Sequence, residues 1–328
     1  MIDGSKYIPY EERDGDESYV YFTRDLSARG IQKVYEKVNE NIVGKIAIKL
    51  HTGERNGPNI IPSSWVKELM ENCESLKDAT IVETNTYYQD SMRYTTEDHL
   101  ETLKINGWDF CPVDIMDSEG TINLPVKGGK WFKEMSMGKT IVNYDSLFVL
   151  THFKGHVMGG FGGSNKNIGI GCADGKIGKK WIHEKDGDQW GAVDEEVMEK
   201  ITESSKATVD HFGKNITFVN VMRNMSVSCD CEGLAAEPVV TPNVGILSST
   251  DICAIDTACV DLVYAMKEKD RKALVERIET RHGHRQLSYM HEIGMGNMKY
   301  VLIDLDNNEE RITPEKAVEG VKPFKLIK

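Results

Sequence analysis

DSLFVLTHFKGHVMGGFGGSNKNIGIGCAD, running from Asp145 to Asp174, opens as an apolar run and turns abruptly into glycines, amides and basic residues. The apolar part reads as a buried strand. Between His152 and Gly171 stand seven glycines, two histidines and two lysines. Glycine lets a backbone approach its neighbours closely and take up positive φ, and such a loop can turn amide N–H groups toward an anion. A site at the end of a buried strand is the reading that organises the rest of the chain.

Upstream, Ile31, Val34, Val38 and Ile42 recur at helical spacing, so Ala28 to Asn41 is expected to be a helix. Lys45 to Leu50 reads as a strand, followed by the turn-rich loop HTGERNGPN. A helix starting near Pro62 carries Trp65, Val66, Leu69, Met70 and Cys73 on one face, and Ala79 to Glu83 is the next strand. Thr95 with Asp98 opens a helix reaching about Ile105. Strands are then expected at Asp109 to Ile115, Thr121 to Val126 and Thr140 to Leu150.

Downstream, the polar segment from Gly175 to Asp194 reads as a surface excursion or lid, and Val197, Ile201 and Val209 as a helix. Ile216 to Val221, Gly245 to Leu247 and Tyr300 to Leu305 are expected strands, and a helix capped among Ser249, Thr250 and Asp251 turns Ile255, Cys259, Leu262, Val263 and Met266 inward. This alternation gives the fold class α/β: a mostly parallel sheet flanked by helices, with ligands at the carboxyl ends of the strands. The domain expectation is one compact unit over 1–328, any lobes falling at about 1–145 and 146–328.

Composition removes several function classes. With 40 basic against 52 acidic residues the formal charge is -12, and no long basic run offers the face that phosphate neutralisation requires, so nucleic acid is not the expected partner. No window is apolar over the roughly 18 residues of a membrane span. The first thirteen residues, MIDGSKYIPYEER, lack the apolar core of a secretory signal, which makes the expected location cytoplasmic. Seven cysteines, an odd and scattered number, read as reduced thiols rather than a disulfide framework.

Within the central stretch, His152 and His156 are candidates for metal ligation or proton transfer near neutral pH. Structural histidines are the competing reading. Lys166 lies ten residues after His156, in a setting where desolvation would make its amine a nucleophile or covalent anchor. The loop is not a phosphate-binding P-loop, because Lys166 is followed by Asn167. In SCDCEG, Cys229 and Cys231 would face the same way if extended, so both thiolates could meet one ion. Asp256, near the first turn of the late helix, is expected to satisfy helix amides.

The run HFKGH followed by GGSNKNIG resembles the signature of the family catalogued as domain of unknown function 362, whose members are described as iron-sulfur-centre proteins. KLHTGER at Lys49 to Arg55, SCDCEG at Ser228 to Gly233, SSTDICAIDTACVD at Ser248 to Asp261 and EIGMG extend the likeness over most of the chain. Many of those relatives carry a ferredoxin insertion of repeated C-x-x-C motifs. Gly178 to Val193, where it would fall, has no cysteine, so a ferredoxin-type cluster is not expected here. More distantly, HVMGGFGGSNKNIGIG is similar to the nickel-pincer lactate racemases, which implies a racemase-like scaffold, an acid/base role for His156 and a covalent cofactor on Lys166. By the same likeness Arg55 would hold an anionic group. The racemase pattern is not complete: Asp109 to Asp117 contains no second histidine, and no proline follows the lysine motif.

These readings combine into a metal- or cofactor-binding protein, with enzymatic proton or hydride transfer on a small carboxylate around His156 and Lys166. Lys49, His51, Arg55, Arg93, Lys154 and Asn167 are the expected anion-binding residues, and Cys229, Cys231 and His152 the expected ligands of a metal whose identity is open. A non-catalytic carrier of the same ligand is the alternative. Substrate and oligomeric state are not legible.

Overall fold

Ser146 to His152 is buried at every position and forms a central strand of a nine-stranded sheet. Its alternate residues feed opposite cores. Leu147 and Val149 join one apolar cluster, Phe148 and Leu150 the other, as the two-residue repeat of a strand requires when helices cover both faces.

The computed structural model describes residues 3–327. Its first half runs β1 (Ser18–Thr23), α1 (Ala28–Tyr35), β2 (Ile46–Lys49), α2 (Ser63–Asn72), β3 (Thr80–Glu83), α3 (Thr96–Ile105) and β4 (Val113–Ile115), then a separate hairpin of β5 (Thr121–Pro125) and β6 (Glu134–Gly138). Strand β7 (Ser146–His152) leads into a two-stranded ribbon, β8 (Lys154–His156) and β9 (Gly160–Gly162), and then α4 (Ser164–Gly171), α5 (Gly178–His183) and α6 (Asp194–Phe212). The chain closes with β10 (Ile216–Met222), β11 (Gly245–Ser249), α7 (Ile252–Ala265), α8 (Glu268–Thr280), α9 (Arg285–Glu292), β12 (Tyr300–Asp304), β13 (Glu310–Ile312) and α10 (Pro314–Ala317).

The large sheet has the order β13-β12-β1-β11-β10-β7-β2-β3-β4. From β10 to β4 every pairing is parallel, and β1 also pairs parallel with β12, whereas β11 is antiparallel to both its neighbours. The sheet is thus mixed with parallel pairs in the majority. Strands from both halves of the sequence interleave in it, since β1 sits between β11 and β12.

The connection order reverses between β2 and β7. From β2 the chain steps outward to β3 and β4, then returns to the other side of β2 as β7, which leaves a crevice at their carboxyl ends. Asn167 of α4 fills its root. Its amide nitrogen donates to Thr151 Oγ1 at 2.9 Å and Leu150 O at 3.3 Å, and its oxygen accepts from Lys49 Nζ at 3.1 Å.

Several elements differ from the sequence reading. Helix α1 ends at Tyr35, because residues 37–42 close i→i+3 turns, Val38 N to Tyr35 O and Ile42 N to Asn39 O, while still burying Val38 and Ile42. The expected strand from Thr140 begins only at Ser146, after a 3-10 turn at Lys139–Asn143. Asp109 to Ile115 contributes three strand residues only. Gly175 to Asp194 is not an outer excursion throughout, since α5 buries Lys179, Ile182 and His183. Thr95 and Asp251 are the N-caps anticipated, accepting from Asp98 N and Ala254 N.

Candidate functional site

The carboxyl ends of β2, β3 and β7, with α4, α5 and the Cys229 turn, enclose a cleft of about 1390 Å³. Two glycines bring its parts together. Gly155 in β8 donates its N–H to Ser226 O at 2.8 Å, and a Cβ there would stand 2.3 Å from Val227 O, so only glycine lets the loop before Cys229 lie on the ribbon. Gly163 caps α4, where a Cβ would meet the Asp256 carboxylate at 2.4 Å. That carboxylate accepts from Ser164 N at 2.7 Å, Asn165 N at 2.9 Å and Asn220 Nδ2 at 2.8 Å. The amide groups at the start of α4 are therefore taken from inside the protein, not offered to an anion. Asp256 does satisfy helix amides, but those of α4 rather than its own helix.

Cys229 and Cys231 do not lie on a strand. Cys229 is the N-cap of a 3-10 turn at Asp230–Ala235, and its Sγ accepts from Cys231 N at 3.4 Å while Glu232 Oε1 accepts from Cys229 N at 2.9 Å. The turn does what an extended strand would have done, placing the two sulfurs side by side. A ring nitrogen of His156 joins them, the three atoms lying within 4.8 Å of one another. Lys166 Nζ stands 4.0 Å from Cys229 Sγ. Hydrogen bonding from Cys231, against the opposing effect of burial and with help from Lys166 and His156, holds the Cys229 thiol well below the usual thiol range. Cys231 is pushed well above it, first by its hydrogen bond to Cys229 and then by burial. Their shared hydrogen bond thus sets the two sulfurs apart, Cys229 the more acidic and Cys231 the less.

His156 Nδ1 accepts two backbone N–H groups, from Gly159 at 2.8 Å and Met158 at 3.3 Å. Burial, then the Lys166 charge, lowers its pKa to about 4, so the ring is neutral at pH 7 and carries its proton on Nε2. Neither nitrogen has a free lone pair for a metal unless the Met158–Gly159 turn moves.

His152 is not a ligand in this arrangement. Its Nδ1 meets Asp230 Oδ2 at 2.7 Å and its Nε2 meets Arg223 O at 2.6 Å, so both nitrogens are engaged. Lys154 reaches the same carboxylate at 3.2 Å and donates to His152 O at 2.9 Å. Although burial opposes it, the charges of His152 and Lys154 hold the Asp230 carboxyl well below its usual range. Lys49 is likewise committed: its Nζ donates to Leu50 O at 2.7 Å, Glu83 Oε2 at 2.8 Å and Asn167 Oδ1 at 3.1 Å. Three donors meet three acceptors, leaving Lys49 and Asn167 no capacity for an anion. Arg55 lies outside the cleft, bound to Thr102 Oγ1 at 3.0 Å and Glu101 Oε2 at 2.8 Å. Arg93 and His51 do line the cleft, Arg93 paired with Glu54 at 2.8 Å and His51 Nδ1 at 3.7 Å from Glu83.

Two ionisable residues of α5 in the cleft wall escaped the sequence reading. Lys179 Nζ is buried and donates to Thr84 Oγ1 at 2.8 Å and to Asn85 O, with no carboxylate partner among the described residues, and burial lowers its pKa to about 8. His183 donates from Nδ1 to Lys179 O at 2.7 Å, and burial lowers its pKa to about 4. Its Nε2 is a free lone pair in the cleft wall. The i,i+4 spacing of Lys179 and His183 was the available signal.

A family model described as a domain of unknown function (DUF362) matches residues 46–261. The chain belongs to this family. The matched span contains the strands β2, β3 and β7, the glycine-rich ribbon, α4, α5 and the Cys229 turn, so the DUF362 region supplies the whole cleft lining except Arg281. Similar solved structures include the lactate racemase apoprotein from Thermoanaerobacterium thermosaccharolyticum, at 12% identity over 92% of this chain and 85% of that one, with a TM-score of 0.36. A protein from Thermotoga maritima is similar at 12% identity and a TM-score of 0.41, over 80% of this chain; the match spans 58% of that protein. The comparison with curated proteins gives no match. An iron-sulfur cluster does not fit the donors present. It takes about four thiolates, whereas the one three-donor group among the described residues is His156, Cys229 and Cys231.

Proposed function

We propose that this DUF362 protein is an enzyme acting on a small anionic molecule, with the Cys229–Cys231 pair as its reactive centre. The observation that carries the reading is the company of Cys229 Sγ: a backbone N–H, a lysine ammonium and the neighbouring thiol all present hydrogen to it. Such surroundings stabilise a thiolate. Cys231 lines the cleft, so passing its proton to Cys229 puts the nucleophilic sulfur where a substrate can reach it. As the sulfur–carbon bond forms and the leaving group departs, Cys229 gives that proton to the leaving group. Lys166 is the counter-charge to the thiolate and to the substrate anion, not a covalent anchor.

A second reading, a metal-dependent enzyme, is favoured by the 4.8 Å convergence of two sulfurs and an imidazole. That donor set suits zinc or a softer ion. It asks the Met158–Gly159 turn to release His156 Nδ1.

One experiment tests both. Protein purified without a tag is assayed for metal and treated with iodoacetamide from pH 5 to 9, with labelled cysteines located by peptide mass. Cys111, half-buried with a pKa raised by burial to about 11, is an internal reference. Alkylation of the pair at pH 6, well ahead of Cys111 and slowed in Lys166→Met, is the expected result. Labelling no faster than Cys111 would sink the thiolate reading, and stoichiometric metal with labelling only after chelation would establish the second.

A further inference from the structure

The catalytic proposal uses only the floor of the cleft. Its outer wall has a chemistry of its own, unlike the surface of a protein carrying a net charge of -12. Lys176, Lys179 and Arg281 all line the cleft, and among the described residues none is in an ion pair. Lys179 spends its protons on Thr84 and Asn85, so it contributes charge, while the other two have donors to give.

A group of rings lines the same cleft. Trp190 meets Tyr87 at 5.7 Å between centroids, His183 at 5.1 Å and Tyr88 at 6.2 Å, while Tyr87 stacks on His183 with 18° between planes at 6.1 Å. All four line the cleft, and Trp190 is 39% exposed, so the group is not a closed core. Within it, His183 is 92% buried, from its 8% exposure, yet its Nε2 has no partner among the described residues. A neutral ring locked with Nδ1–H on Lys179 O can only accept at Nε2, so the wall asks for a ligand that donates an N–H or O–H there.

Rings to stack on, one acceptor among them and several unpaired cations together describe a ligand with a flat ring, a donor on that ring and more than one negative charge. We propose that the outer wall binds a purine nucleoside polyphosphate, its base against Tyr87 and Trp190 with the exocyclic amine toward His183 Nε2, and its phosphates on Lys176 and Arg281. The cleft, at about 1390 Å³, exceeds the roughly 300–1,000 Å³ of a single drug-sized site. Room is left beside the thiols for the small anion, so the nucleotide is a second occupant. The inference rests on the cleft being the working site, but not on the thiolate chemistry.

Calorimetric titration of the full chain with ATP, ADP, adenosine and inorganic tripolyphosphate tests it. ATP and ADP are expected to bind, with adenosine and tripolyphosphate at least about tenfold weaker, because each keeps only half of the recognition. Trp190→Ala should cost ATP about tenfold, the loss of a stacking platform, and leave tripolyphosphate unchanged. Trp190→Phe, which keeps a ring, should restore most of the affinity and guards against misreading a folding defect. Lys176→Met with Arg281→Met should weaken ATP more than adenosine. Equal affinity for tripolyphosphate and ATP would reduce the wall to a general anion site, and no binding of ATP or ADP, or an unchanged Trp190→Ala, would overturn the proposal. If nucleotides fail while the cysteine pair still alkylates at pH 6, only this inference falls.

Discussion

Replacing Lys49 with methionine separates a structural role at the crevice from a binding one. Methionine keeps the length and apolar stem of the lysine, so the cavity is nearly conserved and the loss is charge. The side chains of Lys49 and Glu83 are 1% and 3% exposed, so the substitution strands a buried carboxylate. Glu83 Oε1 keeps Thr52 N at 2.9 Å and Thr52 Oγ1 at 3.1 Å, but Oε2 loses its 2.8 Å partner, and Leu50 O and Asn167 Oδ1 lose theirs. Breaking one side of a buried pair costs about 3–5 kcal/mol. Glu83→Gln alone strands the ammonium at similar cost. The double substitution removes both charges and should cost less than the sum of the singles by about 2 kcal/mol. Urea unfolding midpoints at constant slope measure all three. The pH dependence supplies a sign. Against burial, Lys49 and His51 hold the Glu83 carboxyl well below its ordinary 4.5, so its stabilising contribution is present above that value and is lost as acid reaches the lower folded value. Without Lys49, burial wins and the folded value rises, so Lys49→Met should lose stability relative to the parent from pH 5 to pH 7. A cost under about 1 kcal/mol, additive singles, or an unchanged pH slope would refute this structural role for Lys49.

Asp256 is buried and its pKa is raised by burial to about 6 from an ordinary 3.8, against the amides it accepts from. Its protonated form is favoured in the folded state, so this contribution is full below about pH 4 and lost as pH rises through 6, about 3 kcal/mol in all. Asp256→Asn should abolish that slope in urea midpoints, and cost about 1–3 kcal/mol at pH 7 by turning an amide NH₂ toward α4. Gly155→Ala forces a Cβ against Val227 O at 2.3 Å and Val227 Cα at 2.5 Å. It should destabilise by about 1–3 kcal/mol and slow alkylation of the cysteine pair at pH 6, because the loop carrying Cys229 must lift off β8. Arg55→Ala should leave iodoacetamide labelling and ATP binding unaltered, since Arg55 pairs with exposed Glu101 outside the cleft; a lost affinity would return it to the site.

Strong periodicity and continuous apolar runs made the parallel part of the sheet legible. β2, β3, β7 and β10 appear within one or two residues of their expected ends, apart from the early start given to β7, because burial on both faces leaves few other ways to place such runs. What the sequence obscured was the destination of polar side chains. Lys49 and Asn167 look like anion-binding residues in a loop-rich motif, yet each is consumed by the problem of closing the crevice between β2 and β7. A parallel strand that ends beside a reversal of connection order leaves carbonyls without ladder partners, and buried donors must reach them. Asn167 and Lys49 do so, and His152 meets the same need at the end of β10, on Arg223 O. Site-like composition at strand ends is therefore partly the chemistry of finishing strands.

The same reasoning explains why α5 was read as a surface excursion and why its cues point elsewhere. A helix that faces an aqueous cleft buries polar residues, so Lys179 and His183 replace the apolar stripe that would have identified it. Three features of Gly175 to Asp194 still carried information: a lysine and a histidine four apart, a tryptophan late in an otherwise polar run, and Asp174 just before it. Asp174 accepts from Lys176 N, Ile177 N and Gly178 N, which turns the chain sharply from α4 and aims α5 back over the cleft. Four apart on a helix is one face, so whatever Lys179 touches, His183 touches one turn on. Lys179 touches the carboxyl end of β3, through Thr84 and Asn85. The histidine must then stand over the mouth of the sheet, with a nitrogen turned to whatever the cleft admits.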